Sequence, residues 1–232
     1  MRRALSLSDP AFLRARQAAA YPTPTAYWPF DSFPGSSFPD VIGGFNAAGT
    51  GDVLLDGSGQ VGGCAFGNRS AGAYTLVAPS GAYPAGASST IAGWFNLASN
   101  PGGIADIFQK GLFGADWTLQ VVGTDIQFYY GGNPFFSLGT NTLSTWYHFA
   151  IVFVNGGSPN TFGYLNGSLV ASTSAGGGPQ NSQALNMMYD PVFTDRTSNM
   201  RVDEWAVWAG TALLAGQVLA VYNQGAANLP LI

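Results

Sequence analysis

Short stretches of alternating apolar and polar residues, separated by turn residues, run through most of the chain after residue 25. In "STIAGWFNLAS", Ile91, Phe95 and Leu97 fall on one side, and Trp94 and Asn96 fall on the other. A period of two is typical of a β-strand, whose successive side chains point to opposite faces. The stretches follow one another without the strand–helix rhythm of a parallel sheet. The pattern therefore predicts an all-β protein, a sandwich of antiparallel sheets.

Two turns between these stretches are marked by their residues. "WTLQVVGTDIQFYY" consists of two alternating runs on either side of Gly123–Thr124–Asp125, and Asn166–Gly167 separates "TFGYL" from "SLVAST". Asn followed by Gly suits a type I′ turn, because both central residues of that turn need a positive φ. We therefore predict a β-hairpin at each place.

The pattern changes near the C-terminus, in "LLAGQVLAVYNQG". Leu214, Val218, Val221 and Tyr222 recur there at helical spacing, and Gly225 follows where a helix C-cap is expected. The chain is therefore predicted to end in a short helix.

The N-terminal residues differ from the rest in charge. We predict an arm and linker over residues 1–25 and one folded domain over residues 26–232. Ser8 or Asp9 is a plausible cap for a short helix, and "YPTPT" reads as a stiff, extended linker. Four arginines make the arm basic: Arg2, Arg3, Arg14 and Arg16. We expect this arm to anchor the domain to a partner subunit, and the alternative is a frayed tail.

Composition limits the classes of function. Only 9% of the residues are charged, the net charge is −4, and Lys110 is the single lysine, which disfavours binding to nucleic acid. So few charges also suit a surface that sits against other subunits. No run of about 18 apolar residues is present, so no membrane span is predicted. Cys64 is the only cysteine, and we expect an inert core thiol.

Five stretches of the sequence carry motifs that occur together in one family. In chain order they are "AYWPFD", "GQVGGCAFGNRSAGAYTLV", "STIAGWFNL", "STWYHFAIVFVNGGSPNTFGYLNGSLVAS" and "MRVDEWAVWAGTALLAGQVLAVYNQG". Together they resemble the laminin-G-like jelly rolls of the concanavalin A-like lectin/glucanase superfamily, over about Ala26 to Gly225. The second stretch departs from the family pattern, because Asn68 and Arg69 stand where Asp-Gly is usual. The resemblance implies an antiparallel jelly-roll β-sandwich.

Carboxylate side chains are the residues that catalysis would need. Glucanases of this superfamily use paired carboxylates in a Glu-x-Asp-x-x-Glu pattern, so that acid and nucleophile project from one face. Glu204 is the only glutamate in the chain, and its neighbour Asp203 is predicted to point to the opposite face. We therefore predict no catalytic residues and no enzyme activity. The family pattern also implies a structural role for His148, the only histidine.

A calcium ion is the one cofactor that the resemblance suggests. It implies that the first and last strands pair, which would bring Asp31 and Asp203 together as ligands of a hard cation. The alternative is that Asp203 caps or pairs within the protein. No other cofactor is predicted.

Carbohydrate binding would need an exposed aromatic platform. Candidates lie in and near the "DWTLQVVGTDIQFYYGGNPFFS" hairpin: Trp117, Tyr129, Tyr130, Phe135 and Phe136. Their rings could stack on a pyranose while Gln127 and Asn133 bind its hydroxyls. The alternative is that these rings fill the core or a subunit interface, which the run "NPFF" favours. Lys110 is expected to be a solvated charge.

Two functions remain open from the sequence. The first is a virion structural protein of a tailed phage, either a capsid decoration protein or a tail-fibre or baseplate component. It would be made in the host cytoplasm and bound to other virion subunits, as a homo-oligomer. In its support, the N-terminus lacks the apolar core of a signal peptide and carries the basic arm. The alternative is an extracellular or cell-surface lectin-like module that binds carbohydrate, since this fold serves many functions.

Overall fold

Strands are the main regular structure in the described part of the chain. A computed structural model describes residues 21–69, 74–100, 103–111, 117–174, 177–179, 183–191, 193, 196 and 198–232. In these residues the strands are β1 Ala26–Trp28, β2 Ser37–Phe38, β3 Ala47–Gly51, β4 Val53–Asp56, β5 Cys64–Gly67, β6 Tyr74–Ala78, β7 Ser89–Ser99, β8 Ile104–Lys110, β9 Trp117–Val122, β10 Asp125–Tyr130, β11 Asn133–Thr140, β12 Trp146–Phe153, β13 Thr161–Leu165, β14 Ser168–Thr173, β15 Leu185–Met187 and β16 Asn199–Ala209. Short 3-10 turns lie at Pro34–Ser36 and Ser80–Ala82, and the helix α1 spans Ala215–Ala226.

The strands form two sheets that face each other. The first sheet has the order β14-β13-β12-β7-β16-β5-β4, and β1 also pairs with β16. The second sheet has the order β11-β10-β9-β8-β15-β6-β3-β2. Every ladder among the described residues is antiparallel. The predicted antiparallel β-sandwich is confirmed.

The core between the sheets is rich in aromatic rings. Trp205 of the first sheet meets Phe108 of the second and Phe149 of its own sheet edge to face, with centroids 6.3 Å and 5.2 Å away. Gly93 makes room for this indole, because a Cβ there would lie 2.1 Å from Trp205 Cδ1. Such edge-to-face packing adds to the burial of each ring.

Both predicted hairpins are present. Asn166 and Gly167 have φ of +49° and +76° between β13 and β14, as a type I′ turn requires. Gly123, with φ of +61°, begins the turn between β9 and β10. Local turn chemistry therefore fixes where these strands reverse.

The outer face of the first sheet is covered by α1 and the residues after it. Val218 and Val221 of the helix and Leu231 of the C-terminal tail are buried in one apolar cluster with Tyr27 and Trp208. We call this the covered face. No helix that the structure describes is long and apolar enough to cross a bilayer.

The sequence predicts that Gly225 caps the helix, but in the structure the glycine lies inside the helix. A Cβ at this position would come within 2.4 Å of Trp94 Nε1. The glycine therefore serves a close approach between α1 and β7, not a change of chain direction.

The segment predicted as a stiff, extended linker packs against the domain. The Tyr21 ring lies 6.4 Å from the Trp208 ring, edge to face, and its hydroxyl donates to the Leu231 carbonyl at 3.1 Å. Trp208 Nε1 donates to the Pro22 carbonyl at 2.7 Å. Tyr21 and Pro22 are therefore packed on the domain. The predicted arm and its four arginines lie outside the described residues.

Candidate functional site

The outer face of the second sheet carries polar side chains in register across neighbouring strands. Gln120 on β9 pairs directly with Asp106 on β8 and with Gln127 on β10. The intervening residues point into the core, as Val121 and Ile126 do. Side chains that pair in this way share one face of a sheet. We call the following set the polar face: Asp106, Gln109, Thr118, Gln120, Asp125, Gln127, Tyr129, Ser137 and Asn186.

A chain of hydrogen bonds runs along the more open end of the polar face. The Tyr129 hydroxyl donates to Gln127 Oε1 at 2.8 Å, and Gln127 Nε2 donates to Asp125 Oδ2 at 2.7 Å. The Ser137 hydroxyl donates to the other oxygen of Asp125. Gln127 and Tyr129 are half-buried and Ser137 is exposed. This end thus offers an aromatic ring next to fixed hydrogen-bonding groups.

The other end of the polar face contains buried amides. Neither amide atom of Gln109 has a hydrogen-bond partner, and Oε1 of Gln120 also has none, among the residues that the structure describes. Leaving such groups unpaired costs free energy, so evolution rarely keeps them without a reason. Sequence reasoning missed Gln109 and Gln120, because the register that aligns neighbouring strands cannot be read from one strand at a time.

The five predicted aromatic residues do not form a single platform. Trp117 is completely buried in the core, where it packs on Phe128 and donates from Nε1 to the Gly177 carbonyl at 2.8 Å. Phe136 stacks on Phe128, with ring centroids 5.1 Å apart. Tyr130 and Phe135 pack on the core from its rim. Of the five, only Tyr129 belongs to the polar face, so the other four rings are taken up by packing.

The two carboxylates predicted to bind calcium lie on either side of the loop before β5. Asp203 Oδ2 accepts from the Val61 N–H at 2.8 Å, and Asp31 Oδ1 accepts from the Gly63 N–H at 2.7 Å. β1 pairs with β16, as the resemblance implies. The structure therefore brings Asp31 and Asp203 into one neighbourhood.

The sequence predicts that Asp203 and Glu204 point to opposite faces of the strand. In the structure they share one face. A β-bulge interrupts the pairing of β16 with β7 after Asp203, and Glu204 has φ of +53°. Glu204 Oε2 accepts from the Tyr27 hydroxyl at 2.6 Å and the Leu231 N–H at 3.0 Å, both in the covered layer. Asp203 pairs with Trp94, whose ring meets α1. The bulge removes the alternation that the prediction assumed.

Burial keeps this pair of carboxyls protonated near neutral pH. Burial raises the pKa of Asp203 to about 9, and the neighbouring carboxylates add to the rise. Burial also raises the pKa of Glu204, to about 8. Tyr27 has a pKa raised by burial and by Glu204. The three groups therefore form a neutral cluster, in which the Tyr27 hydroxyl donates a hydrogen bond to Glu204.

This donor set does not fit a calcium ion. Backbone N–H groups occupy one carboxylate oxygen of Asp31 and one of Asp203, so the pair has only two carboxylate oxygens left, whereas calcium takes about six to eight oxygen ligands. Within the described ranges, no group of three or more His, Cys, Asp or Glu side chains could hold a metal ion. Glu204 and Tyr27 hold the C-terminal tail by accepting from the Leu231 N–H, and Asp31 and Asp203 hold the loop before β5.

The remaining singled-out residues are buried. His148 packs against both Trp94 and Tyr222, with ring centroids 5.2 Å and 5.8 Å away, and burial lowers its pKa to about 3. Burial raises the pKa of the Cys64 thiol to about 12. Lys110, predicted to be solvated, is completely buried, and its ammonium donates to the Gln183 carbonyl. The prediction for Lys110 is wrong, because its place at the end of β8 lies under the chain before β15.

Comparison with known proteins places the fold in a family. A laminin G family model, described as the Concanavalin A-like lectin/glucanases superfamily, matches residues 69–219. No curated protein sequence matches the chain. The resemblance drawn from the five sequence motifs is thus confirmed at the level of the superfamily.

Solved structures share the fold at low sequence identity. Trypanosoma rangeli sialidase in complex with 2,3-difluorosialic acid matches with a TM-score of 0.68 and 15% identity, over 88% of this chain and 33% of the sialidase. The receptor binding domain of botulinum neurotoxin type G matches with a TM-score of 0.59 and 17% identity, over 87% of this chain and 51% of the neurotoxin chain. The binding domain of Paraclostridial Mosquitocidal Protein 1 matches with a TM-score of 0.63 and 12% identity, over 86% of this chain and 51% of that domain's chain. This chain thus spans a third to a half of these proteins.

The prediction that the chain is not an enzyme is contradicted by the first of these matches. The fold recurs within a sialidase, which was solved as a covalent intermediate. The prediction relied on the absence of a single carboxylate pattern, and that pattern represents glucanase chemistry alone. Its absence therefore cannot exclude enzymes as a class.

Proposed function

Because the chain belongs to the Concanavalin A-like lectin/glucanases superfamily, we propose that it is a lectin-like domain that binds a carbohydrate on its polar face. The observation that carries the proposal is the hydrogen-bonded chain of Tyr129, Gln127, Asp125 and Ser137 at the open end of that face. A sugar ring has apolar C–H faces and a rim of hydroxyls, so it needs an aromatic surface beside fixed donors and acceptors.

The side chains of the polar face match that requirement in chemistry and position. Tyr129 supplies the ring, and its hydroxyl is held by Gln127. Asp125 can only accept hydrogen bonds when ionised, whereas Gln127 and Ser137 can both donate and accept. Because these groups already bond to one another, they are ordered before a ligand arrives, which lowers the entropic cost of binding.

The structural neighbours support a recognition role. One is a sialidase solved with sialic acid, and two others are named as receptor binding or binding domains of toxins. Recognition of a host or cell-surface glycan would also agree with the alternative that the sequence left open.

A glycan array with the full chain tests the proposal, followed by titration of the best ligand. We expect binding in the micromolar to millimolar range, which Tyr129→Ala and Gln127→Ala weaken at least tenfold. Thr75→Ala is the matched control. It removes a hydroxyl that pairs with Thr50 at 2.6 Å on the same sheet, roughly 19 Å from β10 by strand spacing. The proposal fails if no glycan binds, or if all three variants bind like the wild type.

A second candidate function is structural, as a virion subunit whose residues 1–20 anchor it to partner subunits. The observation that favours it is the low charged fraction of 9%, which suits a surface packed among other proteins. The arm itself lies outside the described residues. Deleting residues 1–20 should abolish incorporation into the particle while leaving glycan binding intact. Full occupancy of the particle by the shortened chain would remove this candidate.

A further inference from the structure

Two long stretches of the chain contain no charged residue. Between Asp125 and Asp190 the sequence has no Asp, Glu, Lys or Arg, and none follows Glu204. The one titratable base in these stretches is His148, which is buried with its pKa lowered to about 3 and is therefore neutral. Surfaces of soluble domains usually carry far more charge than this.

The fold brings the two stretches together at one end of the first sheet. β12, β13 and β14 end that sheet, and α1 lies over the turn between β13 and β14. A Cβ on Gly167 of this turn would lie 2.9 Å from Tyr222 and 3.0 Å from Leu219 of α1. We call the outer side of β12–β14, with α1 beside it, the uncharged face.

The uncharged face exposes large apolar side chains around a pocket. Leu169 is 52% exposed, Leu214 71% and Leu219 44%. The pocket has a volume of about 170 Å³ and is lined by Val152, Val154, Phe162, Tyr164, Leu213, Leu214 and Ala215. Leu169 pairs directly with Tyr164, so it stands beside the pocket on the same side of the sheet. Clustered exposed leucines of this kind mark an interaction surface.

We propose that the uncharged face is the surface on which a second copy of this chain docks, to form a twofold dimer. The protein has a net charge of −4, so two copies repel each other wherever their acidic groups meet. Asp56, the partly exposed acidic side chain at the end of β4, lies at the opposite edge of the first sheet from β14. Contact through the uncharged face avoids this repulsion.

The geometry of the face also suits a copy of itself. A protruding leucine, Leu169, stands next to an apolar pocket, so each copy both offers a side chain and receives one across a twofold axis. Such mutual contact defines an isologous interface. A charged partner gains nothing here, because the face offers no ion pair. This inference is independent of the carbohydrate proposal, because the polar face belongs to the other sheet.

Analytical ultracentrifugation of the full chain over a range of concentrations tests the dimer. We expect a dimer at micromolar concentration, and Leu169→Asp and Leu214→Asp should each raise its dissociation constant at least 100-fold. Leu54→Asp is the matched control, because Leu54 is 48% exposed on β4, at the opposite end of the same sheet. It should leave the dimer unchanged. Circular dichroism melting confirms that each variant is folded.

Three outcomes would overturn the proposal. The first is a wild-type chain that stays monomeric at about 0.1 mM. The second is a dimer that Leu54→Asp weakens as much as Leu169→Asp does. The third is a monomer whose uncharged face is covered by something else. Sedimentation of the monomer with phosphatidylcholine vesicles would mean that lipid covers the face. Dimerisation only after residues 1–20 are deleted would mean that the chain's own N-terminal segment covers it.

Discussion

The outer faces of the two sheets differ in what lies on them. On the first sheet the outward residues are largely apolar or aromatic, such as Trp94, Ala150 and Trp208, and α1 with the C-terminal tail packs over them. On the second sheet the outward residues form the polar face, with Gln120 and Gln127 in register. The central strands of the first sheet are therefore buried on both sides. The second keeps polar side chains on its outer side.

Ionisation under the covered face is expected to give the largest effect. The pKa values of about 9 for Asp203 and 8 for Glu204 lie above the values near 4 of unfolded carboxyls, so the folded state holds more protons. The stability from this cluster is present below about pH 4 and is lost as the pH rises through 8 and 9. Between about pH 7 and pH 8.5, urea unfolding should show a loss of about 3 kcal/mol. Asp203→Asn should reduce this to about 1 kcal/mol.

If the Asp203→Asn variant lost as much unfolding free energy as the wild type over this pH range, this account of the cluster would be contradicted.

His148 acts in the opposite direction, because its pKa of about 3 lies below the unfolded value of about 6.5. Its contribution is present above about pH 6.5 and is lost as the pH falls toward 3. Measurements above pH 7 therefore separate the carboxyl cluster from the histidine.

The contact between α1 and the first sheet gives the next effect. Gly225→Ala should destabilise the protein by about 1–3 kcal/mol, because the new Cβ would meet the Trp94 indole at 2.4 Å. Gly216→Ala in the same helix is the control, since nothing lies within 4 Å of a Cβ there. It should stabilise by about 0.5–1 kcal/mol through helix propensity. Equal effects of the two changes in urea unfolding would mean that α1 is not held against β7.

The polar face should respond least in stability. Gln109→Leu replaces a buried amide that has no hydrogen-bond partner in the described part of the chain, so the free energy of unfolding should change by less than about 0.5 kcal/mol. A loss of about 2 kcal/mol would instead assign the amide a structural role. The measurement therefore asks whether the polar face serves the fold or a ligand.

Much of the fold could be predicted because it depends on local signals. The alternation in β7 and the Asn166–Gly167 turn are written in neighbouring residues, and both appear as predicted. The motifs also identified the superfamily correctly. The helix was found from its spacing, although the role of Gly225 was not, because its contact with Trp94 joins distant parts of the chain.

The candidate site was harder to predict because it depends on register and on bulges. Gln120 and Gln127 come together only when β9 and β10 pair in the observed register. Asp203 and Glu204 share a side because of a bulge that no local pattern marks. For Trp117 the sequence leaves open both carbohydrate binding and packing in the core, and its ring fills the core. Alternation tells which residues share a side of one strand, and the partner strand decides what they meet.

Amide chemical shifts, recorded while the full chain is titrated with a glycan found on the array, test the central claim most directly. The account predicts that the largest changes occur at Gln127, Tyr129 and Ser137 and that the amides of α1 stay unchanged. Changes concentrated in α1 or in the C-terminal tail, with a silent polar face, would contradict it.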